Sequence, residues 1–113
     1  MKFYYNGQLL RTSKNHHYTH AVIARTDEGI FCHGCSSSEQ GAEKLMNGLY
    51  QFRRYRTAVA VLNGTYRPKD RWSYDINKMR DEYTKMYGSV EKAVEHHRAI
   101  VSVFEIVELS EEA

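Results

Sequence analysis

The spacing of apolar residues changes period twice along this chain, and that constrains its class more than any single motif. Up to about residue 35 the chain reads as short strands with the two-residue alternation of a pleated surface. From Ala42 onward the apolar residues recur at Leu45, Met46, Leu49 and Phe52, a spacing of three and four that lays them along one stripe of a helix. From Ile100 to Leu109 the period changes again. That segment is β-branched and apolar on both faces apart from Ser102, Glu105 and Glu108, as in a central strand covered on at least one side.

Turn chemistry sharpens the boundaries. Asn6-Gly7 separates Lys2–Tyr5 from Gln8–Thr12, and both residues adopt the positive φ of a type I′ turn at little cost, which predicts a hairpin. Ser13-Lys14-Asn15 is a loop. A third strand runs from about Tyr18 to Arg25, with Tyr18, His20 and Val22 on one face and Thr19, Ala21 and Ile23 on the other. Thr26-Asp27-Glu28-Gly29 turns the chain and pairs Arg25 with Ile30, and Ile30–Cys35 is a fourth strand. The first third therefore reads as a β-meander.

Ser36-Ser37-Ser38-Glu39 has the form of a capping box, with Ser36 as the cap. Gly41 and Gly48 lie on one side of the helix that follows, consistent with close packing against the sheet. The helix is expected to continue through residues 57–62 to Gly64, although that stretch also reads as a strand turning at Asn63-Gly64. Thr65–Trp72, with Pro68, is a loop. Ser73 caps a second helix carrying Ile76, Met79, Tyr83 and Met86, Gly88 ends it, and Ser89 caps a short third helix to about His97. Ser110–Ala113 reads as a frayed acidic end.

The expected architecture is a single α+β domain over residues 1–113. It has a mostly antiparallel sheet of about five strands, the N-terminal β-meander plus a C-terminal strand, with two to three helices packed on one face. Such a sheet leaves an edge or a face open, so a homodimer or higher homo-oligomer is expected. At 113 residues, 42% apolar and 27% charged, the chain has room for one core and is too apolar to be disordered. No apolar run approaches the roughly 18 residues of a membrane span, and the start turns polar too soon for a signal peptide. A cytoplasmic protein is the expectation, in which Cys32 and Cys35 stay as thiols.

Cys32-His33-Gly34-Cys35 is the most evident chemical motif. With His20 placed opposite Cys35 it offers zinc ligands, yet in a regular strand the two cysteines point to opposite faces, so both ligate only if Gly34 bends the chain sharply. A redox pair and two small buried apolar residues are the other readings. No nucleophile, P-loop or dinucleotide motif is present, and His96-His97 reads as a solvated helical pair, so neither enzymatic activity nor a cofactor is expected.

Charge is polarised along the chain. Between Arg53 and Arg71 stand Arg53, Arg54, Arg56, Arg67, Lys69 and Arg71 against Asp70 alone, whereas beyond Glu91 glutamates dominate. The basic stretch is interleaved with aromatics. Arg53, Arg54, Arg56, Arg67 and Arg71 are expected to hold phosphate, and Tyr55, Tyr66 and Trp72 to stack on bases. The plainer reading is that arginine stems cover apolar surface, with the rings in the core. Helical geometry makes Arg53 and Arg56 neighbours and points Arg54 elsewhere. An anionic nucleotide is the ligand expected, with general nucleic-acid binding as an alternative.

The segments Lys2-Phe3-Tyr4-Tyr5-Asn6-Gly7-Gln8-Leu9-Leu10-Arg11-Thr12-Ser13 and Tyr18-Thr19-His20-Ala21-Val22-Ile23, with the Cys35-Ser36-Ser37 junction, resemble small bacteriophage accessory proteins of the anti-defence type. These include anti-Thoeris proteins that sequester a cyclic nucleotide-type signal, and anti-CRISPR proteins that block an effector. The resemblance covers about the first half of the chain and carries over no site residue. It implies a phage protein acting in the host cytoplasm, either by sequestering such a signal or by binding and inhibiting a host defence protein.

Overall fold

The computed structural model describes residues 1–112 and is α+β: six strands in two antiparallel three-stranded sheets, with four helices. The chain forms two compact units, one of residues 1–49 and 102–113, the other of residues 50–101.

In the first unit β1 (Lys2–Tyr5) and β2 (Gln8–Thr12) make the expected hairpin, with φ of 49° at Asn6 and 79° at Gly7. A second hairpin joins β3 (His20–Thr26) to β4 (Gly29–Ser36), and Arg25 faces Ile30 as expected. The two hairpins do not continue one meander. β5 (Phe104–Glu108) pairs with β3, giving the order β4-β3-β5, while β6 (Ser110–Glu112) pairs with β1, giving β2-β1-β6. The strand expected near the C-terminus, β5, thus lies at a sheet edge, and Ser110–Glu112 of the acidic segment read as frayed form a strand, Ala113 lying outside the described residues. One sheet of about five strands is replaced by two because β5 and β6 follow each other directly yet pair with different hairpins.

β3 is the central strand of its sheet, and Ala21, Val22, Ile23 and Ala24 are all buried. Burying a side chain such as that of Ile23 contributes about 1.5–3 kcal/mol. Helix α1 (Glu39–Gly48) packs against β3, β4 and β5 and buries Ala42. Its N-cap is Ser38, not Ser36: Ser38 Oγ accepts from the Gly41 amide at 2.9 Å, and Ser36 Oγ accepts from the Ser38 amide.

The long helix expected from residue 39 to 62 is broken at Leu49, whose ψ of 142° is extended. Helix α2 (Tyr50–Asn63) resumes at once and carries residues 57–62 as helix. Helix α3 (Ile76–Tyr87) is capped by Asp75, which accepts from the Lys78 amide at 2.9 Å, in place of Ser73. It ends at Gly88 with φ of 97°, a conformation in which a Cβ is strained. Ser89 caps α4 (Val90–Val101) as expected, but the helix runs past His97 and takes up Ile100 and Val101. Ala58, Val61, Tyr83, Ala93 and Val94 form the core of this helical unit, flanked by Tyr55, Val59 and Tyr66. Among the described residues no helix is long and apolar enough to cross a membrane.

Candidate functional site

Helix α2 sets the site because its period distributes three arginines around one flank. Arg53 occupies the middle, with Arg54 about 100° to one side and Arg56 about 60° to the other. Two grooves open there, both built from the helical unit. The first, of about 560 Å³, is lined by Tyr50, Arg53, Arg54, Thr57, Lys69, Met79, Tyr83, Met86, Tyr87 and His97. The second, of about 440 Å³, is lined by Arg53, Arg56, Thr57, Ala60, Thr65, Tyr66, Arg67, Lys69 and Ser73. Arg53, Thr57 and Lys69 belong to both, so the grooves adjoin along them.

The electrostatics are one-sided. Five cations line the grooves, Arg53, Arg54, Arg56, Arg67 and Lys69, and no Asp or Glu does. Among the described residues the ion pairs are His17–Glu111 and Arg25–Glu105, so no carboxylate neutralises these cations. The nearby Asp70 is engaged in its own turn, where Oδ1 accepts from the Trp72 amide at 2.8 Å and the Ser73 amide at 2.9 Å.

The first groove is also aromatic. The Arg54 guanidinium lies 5.1 Å from the centre of the Tyr50 ring, within cation–π range. Tyr87 Oη stands 3.5 Å from His97 Nε2. His97 is buried, with 6% of its surface exposed, and is not half of a solvated pair, although His96 beside it is exposed. Desolvation pushes the His97 pKa below its ordinary 6.5, and the charges of His96 and Arg54 push the same way. Burial likewise raises the Tyr83 phenol, keeping it a neutral donor.

The structure divides the residues expected to bind ligand. Arg53, Arg54, Arg56, Tyr66 and Arg67 line the grooves. Tyr55 packs on the helical core instead, and its hydroxyl accepts from Arg98 Nε at 3.5 Å. Arg71 and Trp72 line neither groove. The Arg71 guanidinium sits 4.7 Å over the Trp72 ring, and that ring is 80% exposed. Sequence reasoning counted Lys69 in the basic stretch but not among the ligand-binding residues, and it missed Tyr50, Thr57, Tyr83, Tyr87 and His97 as site residues. Tyr50 was within reach of it, since Tyr50 and Arg54 are four apart on a helix.

The histidine proposed as a zinc partner does not face Cys35. His20 pairs with Ser36, and its Nδ1 lies 2.7 Å from Thr19 Oγ1. Among the described residues no group of three or more His, Cys, Asp or Glu is placed to hold a metal ion.

No protein-family model matches the chain, and no curated protein or solved structure matches it either.

Proposed function

We propose that the helical unit binds a small anionic nucleotide, of the cyclic type, without turning it over, and that the protein acts as a phage-type anti-defence factor by withholding this signal. The carrying observation is the sharing of Arg53 and Lys69 by two adjoining grooves that together hold five cations and no carboxylate. Guanidinium groups take phosphate bidentately, and grooves of a few hundred Å³ match small-molecule sites in size. Tyr50 and Tyr66 supply one ring to each groove on which a base can stack.

The test is titration calorimetry with a panel of cyclic mononucleotides, cyclic dinucleotides and cyclic ADP-ribose-type compounds. A charge-assisted hydrogen bond contributes about 1.5–3 kcal/mol, so Arg53→Glu, which reverses charge in both grooves, lowers affinity by at least about tenfold. Wild-type protein that binds none of the panel overturns the proposal. Tighter binding of single-stranded oligonucleotide, falling steeply with salt, would assign the grooves to nucleic acid instead.

One observation favours a second reading. Trp72 is 80% exposed with Arg71 over its ring, and tryptophan and arginine are among the residue types enriched where protein interfaces concentrate their affinity. Under that reading the loop around Arg71 and Trp72 docks on a defence protein. Trp72→Ala then abolishes recovery of one stoichiometric host protein while leaving nucleotide affinity unchanged.

A further inference from the structure

The CxxC segment of β4 is regular strand except at one point. Val22 pairs with Gly34 but Ile23 pairs with Cys32, so His33 is an extra residue that β3 does not match. This β-bulge changes which way the side chains that follow it point. Without it, residues three apart face opposite sides of the sheet. With it, Cys32 stands opposite Ile23 and Cys35 opposite Ala21, and these two partners are themselves two apart on one face. Both thiols therefore pack on the same apolar cluster with Ala21, Ile23 and Leu10, and their sulfurs are 3.7 Å apart.

We propose that Cys32 and Cys35 form a reversible dithiol–disulfide couple, with Cys32 as the attacking sulfur and Cys35 as the resolving one, and that its oxidant is a low-molecular-weight disulfide of the glutathione class. The Cys32 thiolate attacks one sulfur of the small disulfide; the S–S bond of that molecule breaks and one thiolate leaves with the electron pair. Cys35 then gives its proton to water and attacks Cys32 Sγ, releasing the second small thiolate. Each released thiolate takes up a proton from solvent. Counted from the Cys32 thiolate, the protein loses two electrons and the Cys35 proton, one further proton comes from solvent, and one small disulfide becomes two thiols.

The assignment of roles rests on surroundings as well as contact. The contact between the two sulfurs, with Cys35 as donor when Cys32 is ionised, holds the Cys32 thiol down to about 6 against desolvation, and the contact with the Gly34 backbone and the charges of Arg11 and His33 act in the same direction. The same sulfur contact raises Cys35, which burial also favours as the neutral form. A sulfur biased towards the thiolate beside a partner biased towards the thiol is the arrangement a two-step exchange needs. Both cysteines are half-buried rather than enclosed, and on the α1 side a side chain at Gly34 would meet Leu45.

The experiment equilibrates the purified protein in glutathione buffers of graded redox ratio, quenches by alkylation and reads intact mass. The wild type is expected to show two populations, one with both cysteines alkylated and one that has lost two hydrogens and takes no alkyl group. Their ratio follows the buffer. Cys35→Ser is expected to trap one glutathionyl group on Cys32, and Cys32→Ser to react at least about tenfold more slowly at neutral pH. Wild type that accumulates two glutathionyl groups, or that stays fully reduced across the series, overturns the couple, and neither result depends on a variant folding. Equal trapping by the two variants overturns the assignment of roles.

Discussion

His97 shows how one residue joins stability to the candidate site. It lies on α4, with the Tyr87 hydroxyl facing it from α3, Arg54 from α2 and His96 beside it. Its pKa is lowered in the fold and is about 6.5 in the unfolded chain, so below that value the unfolded state binds the extra proton. The contribution is complete above about pH 6.5 and is lost as pH falls towards the folded value. Urea midpoints measured from about pH 7.5 down to about pH 5.5 are expected to drop further for wild type than for His97→Gln. A variant that falls as steeply as wild type would place the acid sensitivity elsewhere. The sequence alone showed two adjacent histidines in a helix but not which one faces inward. Which one does depends on Tyr87 and Arg54, residues of other helices, and no local pattern carries that information. Arg53 and Arg56 were legible as neighbours because only the helical period was needed.

The boundary between β4 and α1 belongs to the scale of elements, and three consecutive serines make it. Any of them can cap a helix, so composition located the junction to within a turn, and the competition among their hydroxyls chose Ser38. Ser36 is left to brace the Ser38 amide from the strand end. Gly41 is where this bracing meets the helix. A Cβ there would collide with Ser36 Oγ and stand 3.1 Å from Ser38 Oγ, whereas a Cβ at Gly48 meets nothing. Alanine normally gains about 1 kcal/mol over glycine inside a helix. Gly41→Ala is nevertheless expected to destabilise the protein in urea denaturation, and pairing it with Ser36→Ala to recover part of the loss. Gly48→Ala is expected to be neutral or stabilising. A stabilised Gly41→Ala would mean that the serines rearrange at no cost. The His33 bulge shows where sequence reading stops at this scale: glycine at residue 34 permits it, but the mismatch is set by pairing with β3. Which hairpin receives β5 or β6 is decided in the same non-local way.

Across the whole molecule the apolar residues fall into separate clusters, one of Ala21, Ile23 and Val107 and another of Ala58, Val61, Tyr83, Ala93 and Val94. A cavity made in one is expected to weaken that one first. Val61 is fully buried, and removing two methyl groups from it costs about 1–3 kcal/mol. Amide hydrogen exchange of Val61→Ala should therefore accelerate through α2, α3 and α4 more than through β3 and β5. Equal acceleration in both would show one cooperative unit. The second change of period, near residue 100, falls at this division, whereas the first does not: α1 belongs with the strands, and the helical unit begins at Tyr50. The order of synthesis gives that interleaving a consequence. The ribosome completes residues 50–101, with every member of the helical core, before Phe104 emerges. The β3–β4 hairpin is made earlier, yet until β5 is translated it has an unpaired edge on its central strand. The β3–β4 hairpin, made before the helical segment, is thus finished after it, and a nascent chain stalled between the two would expose that edge to any passing strand.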